Sequence, residues 1–261
     1  MEIFSIDYIL ASFLIFVRVS SLIMTAPFFS SAAFPAQVKL FFALVTSVML
    51  YPVIPAQNVI ISTDIGFVSI GIMIILEVLT GAALGLVGQL IFAGLELAGR
   101  LISIKIALGF ANIVDTMTQQ QSAVISNLFT MIAVLVFLSV DGDKIYLNGL
   151  VESYSVIPLA EGQVQLAGPL MLEIATYLFI IGVQITSPFI IVLFLLDLSL
   201  AIFARIMPQA NIMFIALPIK LGVGIILLIL VVPYLPVAFE MMFQHLFDYL
   251  RQIIEIMMPV S

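Results

Sequence analysis

The chain has 261 residues, 64% of them hydrophobic and only 9% charged, with a formal net charge of -7. Soluble globular proteins run nearer about 45–50% apolar and about 25% charged, so the composition excludes an ordinary soluble domain and fits an integral membrane protein or a chain equally buried. The acidic balance argues against nucleic acid, which needs basic patches, and the absence of cysteine removes disulfides and thiol chemistry.

At about 20 residues per span the length has room for about six or seven crossings and little else. A single helical unit over 1–261 is therefore expected. The opening MEIFSIDYIL carries Glu2 and Asp7 where a cleavable signal would carry Lys or Arg, so the first apolar run is expected to remain in the protein. That run, 8–29, has Arg18 at its centre and Pro27 near its end. After SSAAFPAQ, Pro35 suits the first turn of a helix. The helix is expected over 37–51, with Lys39 near its start and Pro52 and Pro55 stopping it. The next apolar run, 65–98, would be about 51 Å long as a helix, against a hydrocarbon core of about 30 Å. It must be two segments or one helix extending beyond any membrane. Gly81, Gly85 and Gly88, followed by Gly94 and Ala98, form a small-residue pattern. Such spacing suits close helix packing, with gating glycines as the functional alternative.

Residues 99–127 interrupt the apolar runs with a polar stretch. From 112 to 122 its only ionisable side chain is Asp115, among Asn112, Thr116, Thr118, Gln119, Gln120, Gln121 and Ser122. Non-helical backbone is tolerated at membrane depth only where protein covers it or a watery cavity receives it. The stretch reads either as a loop lining or closing a passage or as an ordinary surface connection.

Residues 123–140 form an uninterrupted apolar segment ending at Asp141, Gly142, Asp143 and Lys144, and a short helix is expected around 146–154. Asp141 and Asp143 lack the further oxygen ligands and closing Glu of an EF-hand. The run 169–204 is too long for one plain span and carries Pro188 in its middle, so a kink or break is expected there. The last run, 211–236, is interrupted by Pro218 and terminated by Pro233 and Pro236. From 237 onward apolar residues alternate with Glu240, Gln244, His245, Asp248, Arg251 and Glu255 at the spacing of an amphipathic helix.

Nearly every apolar run holds an ionisable residue: Arg18, Lys39, Glu77, Glu96, Glu173, Asp197 and Lys220. Each would cost about 2.5–3.5 kcal/mol unpaired at mid-bilayer. They suit a chain whose charges pair across protein contacts, or a transporter whose carboxylates carry protons or ions. The Lys and Arg distribution gives no orientation. HExxH, GxSxG and Walker patterns are absent, and the single histidine, His245, reads as a helix-face residue, so neither catalysis nor a metal or cofactor site is expected. The 13 methionines and 21 phenylalanines read as core filling, or as an adaptable ring around a passage.

The segment ARIMPQANIMFIALPIKLGVG at 204–224 resembles the FliR family of flagellar type III export-gate proteins, which includes injectisome relatives. The resemblance covers most of the chain. It includes Arg18 through Pro27 with Phe28 and Phe29, Phe34 with Pro35, Tyr51 with Pro52, Gly81, Gly85, and Ala98 with Gly99. It continues through Gly109, Phe110, Ala111 and Asp115, the stretch 153–158, Pro188, and the series Arg205, Pro208, Gln209, Asn211, Pro218 and Lys220. Thr116 stands where the family usually has Pro, Asp143 where it often has His, and Arg100 where it has a Gln-like residue.

The resemblance implies an all-α, membrane-type protein of broken helical hairpins, FliP-like over 1–168 and FliQ-like over 169–261. It implies a non-enzymatic, single-copy subunit that completes a helical ring with FliP and FliQ homologues, beside FlhA and FlhB, at the flagellar basal body in the bacterial inner membrane. Unfolded flagellar substrates and membrane lipid are its other implied partners, and nucleic acid is not among them. The family's channel plug maps to about 106–122. Phe110, Asn112, Ile113, Val114 and Met117 would close the channel, and Gln119, Gln120 and Gln121 would contact neighbouring loops. Arg205 and Lys220 would serve packing and subunit contacts. A stand-alone ion- or proton-coupled transporter using Glu77, Glu96, Glu173 or Asp197 is the alternative, and a purely structural membrane scaffold is a third reading.

Overall fold

Long apolar runs with few internal breakers leave the helix as the structure that satisfies every backbone group without water. The computed structural model describes residues 6–27, 35–55, 66–108, 124–209 and 211–259, and these are helices joined by short turns. Helix α1, Ile6–Thr25, is followed by α2, Ala36–Leu50, which starts on Pro35 and ends where the Tyr51 N–H reaches Ser47 O. The apolar run at 65–98 forms one helix, α3, Phe67–Lys105, whose 39 residues span about 58 Å. It ends as Ala107 turns left-handed, with φ of 62°. The central polar stretch follows. Phe110, Asn112, Ile113, Val114, Asp115, Met117, Gln119, Gln120 and Gln121 lie outside the described residues.

Helix α4, Val124–Ser139, is followed after a two-residue break by helix α5, Gly142–Val156. The break lies at Asp141, which is left-handed with φ of 56° and pairs with Lys144 at 2.6 Å. Next come a 3-10 turn, Val164–Ala167, and helix α6, Gly168–Ile206. Of the kink or break expected at Pro188, a break does not occur, because α6 runs through that residue as one helix. Proline removes the N–H that would bond the carbonyl four residues back. The Ser187 hydroxyl donates instead to that carbonyl, Gln184 O, at 2.7 Å, a side-chain substitution that lets apolar helices carry proline. Helix α7, Ile212–Val231, likewise continues through Pro218. Pro233 falls in a 3-10 turn, Val232–Tyr234, and Pro236 in the first turn of the amphipathic helix α8, Leu235–Ile256. The prolines expected to end the run thus introduce the next helix, where their missing N–H is harmless.

The chain divides into two compact units, one of Met1–Ile91, Val140–Ala175 and Met242–Ser261, the other of Phe92–Ser139 and Thr176–Met241. In the first, Leu14, Ile15, Leu84 and Val87 form the core with Tyr146, Leu150, Tyr154 and the α8 residues Phe243, Leu246, Leu250 and Ile253. The three- and four-residue spacing of that α8 set is the apolar stripe of an amphipathic helix. In the second, Leu95, Ile102, Ala133, Phe189 and Leu193 are buried. Edge-to-face ring pairs, Phe92 with Phe137 and Phe129 with Phe239, accompany them.

Four helical stretches among the described residues are long and apolar enough to cross a membrane, or five if α4 and α5 form one bent span. In the two later stretches, Val164–Ile206 and Phe214–Ile256, only 11% and 6% of the most apolar window is buried. Their exposed side chains include Phe194, Leu195, Ile202, Phe214, Ile226 and Ile229. Large apolar side chains exposed in such number mark contact with lipid or another protein.

Candidate functional site

In the first unit the polar chemistry centres on Arg18 of α1, whose side chain is fully buried. Its Nε reaches Glu77 Oε2 at 2.5 Å and its Nη2 reaches Glu77 Oε1 at 2.9 Å. This is the two-pronged arrangement that suits guanidinium and carboxylate. The remaining N–H groups turn to α5 and the turn after it. Nη1 donates to Ile157 O at 3.1 Å and Ser153 O at 3.3 Å, and Nη2 to Pro158 O at 3.4 Å. The last carbonyls of a helix have no partner within it and favour a cation. Arg18 supplies the cation at the end of α5, adding to the Ile157 N–H already on Ser153 O and partnering Ile157 O just beyond the helix, while its guanidinium lies 4.4 Å from the Tyr154 ring centroid.

Glu77 extends the cluster. Its Oε1 also accepts the Ala160 N–H at 2.7 Å, at a residue held left-handed with φ of 64°. A Cβ at nearby Gly162 would sit 2.6 Å from the Thr80 hydroxyl, and the Gln163 N–H bonds Met257 O at 3.1 Å. The turn after α5 is therefore pinned to α1, α3 and the residue just beyond α8. No buried side-chain polar atom lacks a partner among the described residues.

Below this cluster α1 and α3 approach through glycine. A Cβ at Gly81 would strike Arg18 O, and one at Gly85 would strike the Thr25 side chain. Gly88 serves differently. The Tyr146 hydroxyl accepts the Gly88 N–H at 3.0 Å and donates to Leu84 O at 3.3 Å, bridging a donor and acceptor four residues apart in α3. A Cβ on Gly88 would collide with that hydroxyl.

The second unit holds the root of the central polar stretch. Ile106 is fully buried, and a Cβ at Gly224 of α7 would overlap its side chain. A Cβ at Gly99 would come within 2.5 Å of Ser126 Cα, while Ser126 Oγ donates to Glu96 O at 3.2 Å. Gly94 faces Leu178, and Gly182 faces Leu97. Residues on both sides of the stretch, in α3 and α4, are thereby held close.

The remaining charges are dispersed. Glu96 pairs with Arg100 one turn on at 2.5 Å, both well exposed. Asp197 of α6 meets Lys220 of α7 at 2.5 Å, with the side chains 47% and 24% exposed on an otherwise apolar surface. Glu173 and Arg205 are exposed, and Lys39 is half-buried. His245 lies on the exposed face of α8. Groups of three or more His, Cys, Asp or Glu that could hold a metal are absent among the described residues. Ser153, Ala160 and Tyr146 are functional neighbours that residue-by-residue reading did not single out. The stretch 153–158 entered only through the resemblance, and nothing in the sequence ties Tyr146 to Gly88.

Buried charge between helices, glycine-mediated helix contacts and broadly exposed apolar helices define an all-helical membrane protein without a catalytic constellation among the described residues. The sequence profile of the bacterial export proteins, family 1, matches residues 9–246. The chain belongs to this family, that of the FliR proteins. It is 29% identical to the flagellar biosynthetic protein FliR of Aquifex aeolicus over 256 residues, 97% of each chain. It is 32% identical to that of Pectobacterium carotovorum, covering 92% of this chain and 90% of the relative. With that of Escherichia coli it shares 31% identity, over 91% and 90% of the two chains.

Proposed function

We propose that this chain is the single-copy core subunit of a flagellar protein export gate in the bacterial inner membrane. It completes with FliP and FliQ homologues the channel through which unfolded flagellar substrates pass, beside FlhA and FlhB. The relatives named as flagellar biosynthetic proteins support the process. The observation that carries the assembly reading is the scant burial of the apolar stretches Val164–Ile206 and Phe214–Ile256. A half-exposed Asp197–Lys220 pair lies on that surface. Charge at such a place is poorly suited to hydrocarbon and well suited to a protein neighbour. In this reading 1–168 is the FliP-like part and 169–261 the FliQ-like part.

The central stretch at about 106–122 is the plug. Its root is fixed by Ile106 against Gly224 and by Gly99 against Ser126. Phe110 and Ile113 exclude water from the closed channel, with Asn112, Val114 and Met117 beside them, and Gln119, Gln120 and Gln121 bond neighbouring loops. Replacing Phe110 and Ile113 by Gly makes the assembled gate leaky to ions. Unchanged conductance in an intact assembly rejects the plug.

A stand-alone transporter is less well supported. It needs a carboxylate free to exchange a proton or ion in a protected site, yet Glu77 is engaged by Arg18 and the Ala160 N–H, Asp197 by Lys220 and Glu96 by Arg100, and Glu173, which forms no ion pair among the described residues, lies exposed on α6.

A further inference from the structure

In a regular helix the Gly88 N–H closes a rung of the backbone ladder by bonding Leu84 O. In α3 both groups of that rung engage one side chain. The buried Tyr146 hydroxyl of α5 accepts the Gly88 N–H at 3.0 Å and donates to Leu84 O at 3.3 Å. A side chain set into the ladder is one of the few causes of a sharp helix bend. Glycine provides the space, since a Cβ at Gly88 would collide with the hydroxyl oxygen. The rung also lies where α3 changes neighbours. Before it, Gly81 and Gly85 are closed against Arg18 O and Thr25 of α1; beyond it, Gly94 and Gly99 face Leu178 of α6 and Ser126 of α4.

We propose that Leu84–Gly88 is a hinge in α3, with the Tyr146 hydroxyl as a wedge that enters and leaves the helix ladder. Two arrangements of these three groups have the same number of bonds. In one, the Gly88 N–H bonds the hydroxyl and the hydroxyl bonds Leu84 O. In the other, the N–H bonds Leu84 O directly, while the hydroxyl still donates to the second lone pair of that carbonyl. Only the acceptor of one N–H changes. Neither arrangement orphans a buried donor, so the exchange avoids the desolvation penalty that an unpaired buried group carries. Because Gly81 and Gly85 hold the earlier part of α3 against α1, the part that turns is the one ending at Lys105. The hinge goes beyond the gate reading: it belongs to the fold and holds whatever the chain assembles with.

The test uses the full chain in detergent. Gly88 and Gly224 are the two glycines that follow a valine, so valine labelled at its carbonyl carbon with glycine labelled at nitrogen selects two amide signals in a magnetic resonance spectrum. Gly224 of α7 is the internal control. In the native chain the Gly88 amide is expected as two signals, or as one broadened by exchange on the microsecond-to-millisecond scale. In Tyr146→Phe the rung closes directly, and Gly88 gives a single sharp signal while that of Gly224 is unchanged. A hydroxyl with a purely structural role gives the reverse, a sharp native signal and a Gly88 amide that loses protection in Tyr146→Phe. The chain has no cysteine, so nitroxides attached through Ile72→Cys and Ile104→Cys, both exposed on α3, report the bend, and the spread of their separation narrows with Tyr146→Phe. A single sharp Gly88 signal in the native chain, a signal still broadened in Tyr146→Phe, an unchanged nitroxide spread, or a Tyr146→Phe chain that fails to fold would overturn the hinge.

Discussion

Arg18 and Glu77 lie 59 positions apart in the sequence and meet as a doubly bonded ion pair, with side-chain exposures of 0% and 1%. Each is expensive to bury alone, and together they order four segments: α1, α3, the end of α5 and the turn at 157–160.

Removing one partner of such a pair leaves an uncompensated buried charge, at a cost of about 3–5 kcal/mol. Arg18→Met and Glu77→Leu are each expected to lower the thermal midpoint in detergent and the amount of chain in the membrane. The double variant is expected to lose less than the sum of the two. It still falls below the native chain, because Ile157 O and the Ala160 N–H lose partners that an apolar side chain does not replace. Additive losses in a thermal-unfolding cycle would show that the two residues do not act as a pair.

The glycines of α3 separate by what faces them. Gly85→Val should force α1 away at Thr25 and Ala26, with a loss of about 1–3 kcal/mol or more from overpacking. Gly71→Ala, in the same helix with nothing within 4 Å of its Cβ position, should be neutral or stabilising by up to about 1 kcal/mol. Thermal midpoints of the two purified variants check the contrast, and equal effects would contradict the packing role of Gly85.

At Asp197 and Lys220 the effect should depend on assembly. Exposed pairs contribute about 0–1 kcal/mol, so Lys220→Met changes the isolated chain's midpoint little. Once a neighbour covers that surface, the orphaned Asp197 is buried and costs about 2–5 kcal/mol. The fraction of chain in the full complex should fall, and Asp197→Leu added to Lys220→Met should restore part of it. A stability loss in the isolated chain that matches the assembly loss would place the effect within the subunit.

Much of the helical layout was legible because apolar length, proline and glycine act locally. The run stopped by Pro52 gives α2, and the alternation after 237 gives the buried face of α8. That α6 stays unbroken at Pro188 depends on its neighbour, since Ser187 supplies the bond that proline removes. The α1–α3 contact was foreshadowed by Gly81 and Gly85, but their spacing does not name the facing residue. The pairing of Arg18 with Glu77 and the bridge from Tyr146 to Gly88 depend on tertiary contacts between distant segments, for which no sequence period exists. Phe110 and Ile113, proposed for the plug, were indicated by the resemblance alone and lie outside the described residues.

The central claim is that this chain is one part of a larger gate, and the most direct test is its mass in mild detergent, expressed alone and then with the FliP and FliQ partners of the same source. The account predicts one large, defined assembly containing a single copy of this chain, formed only when both partners are present. A chain equally monodisperse alone and indifferent to both partners would contradict it.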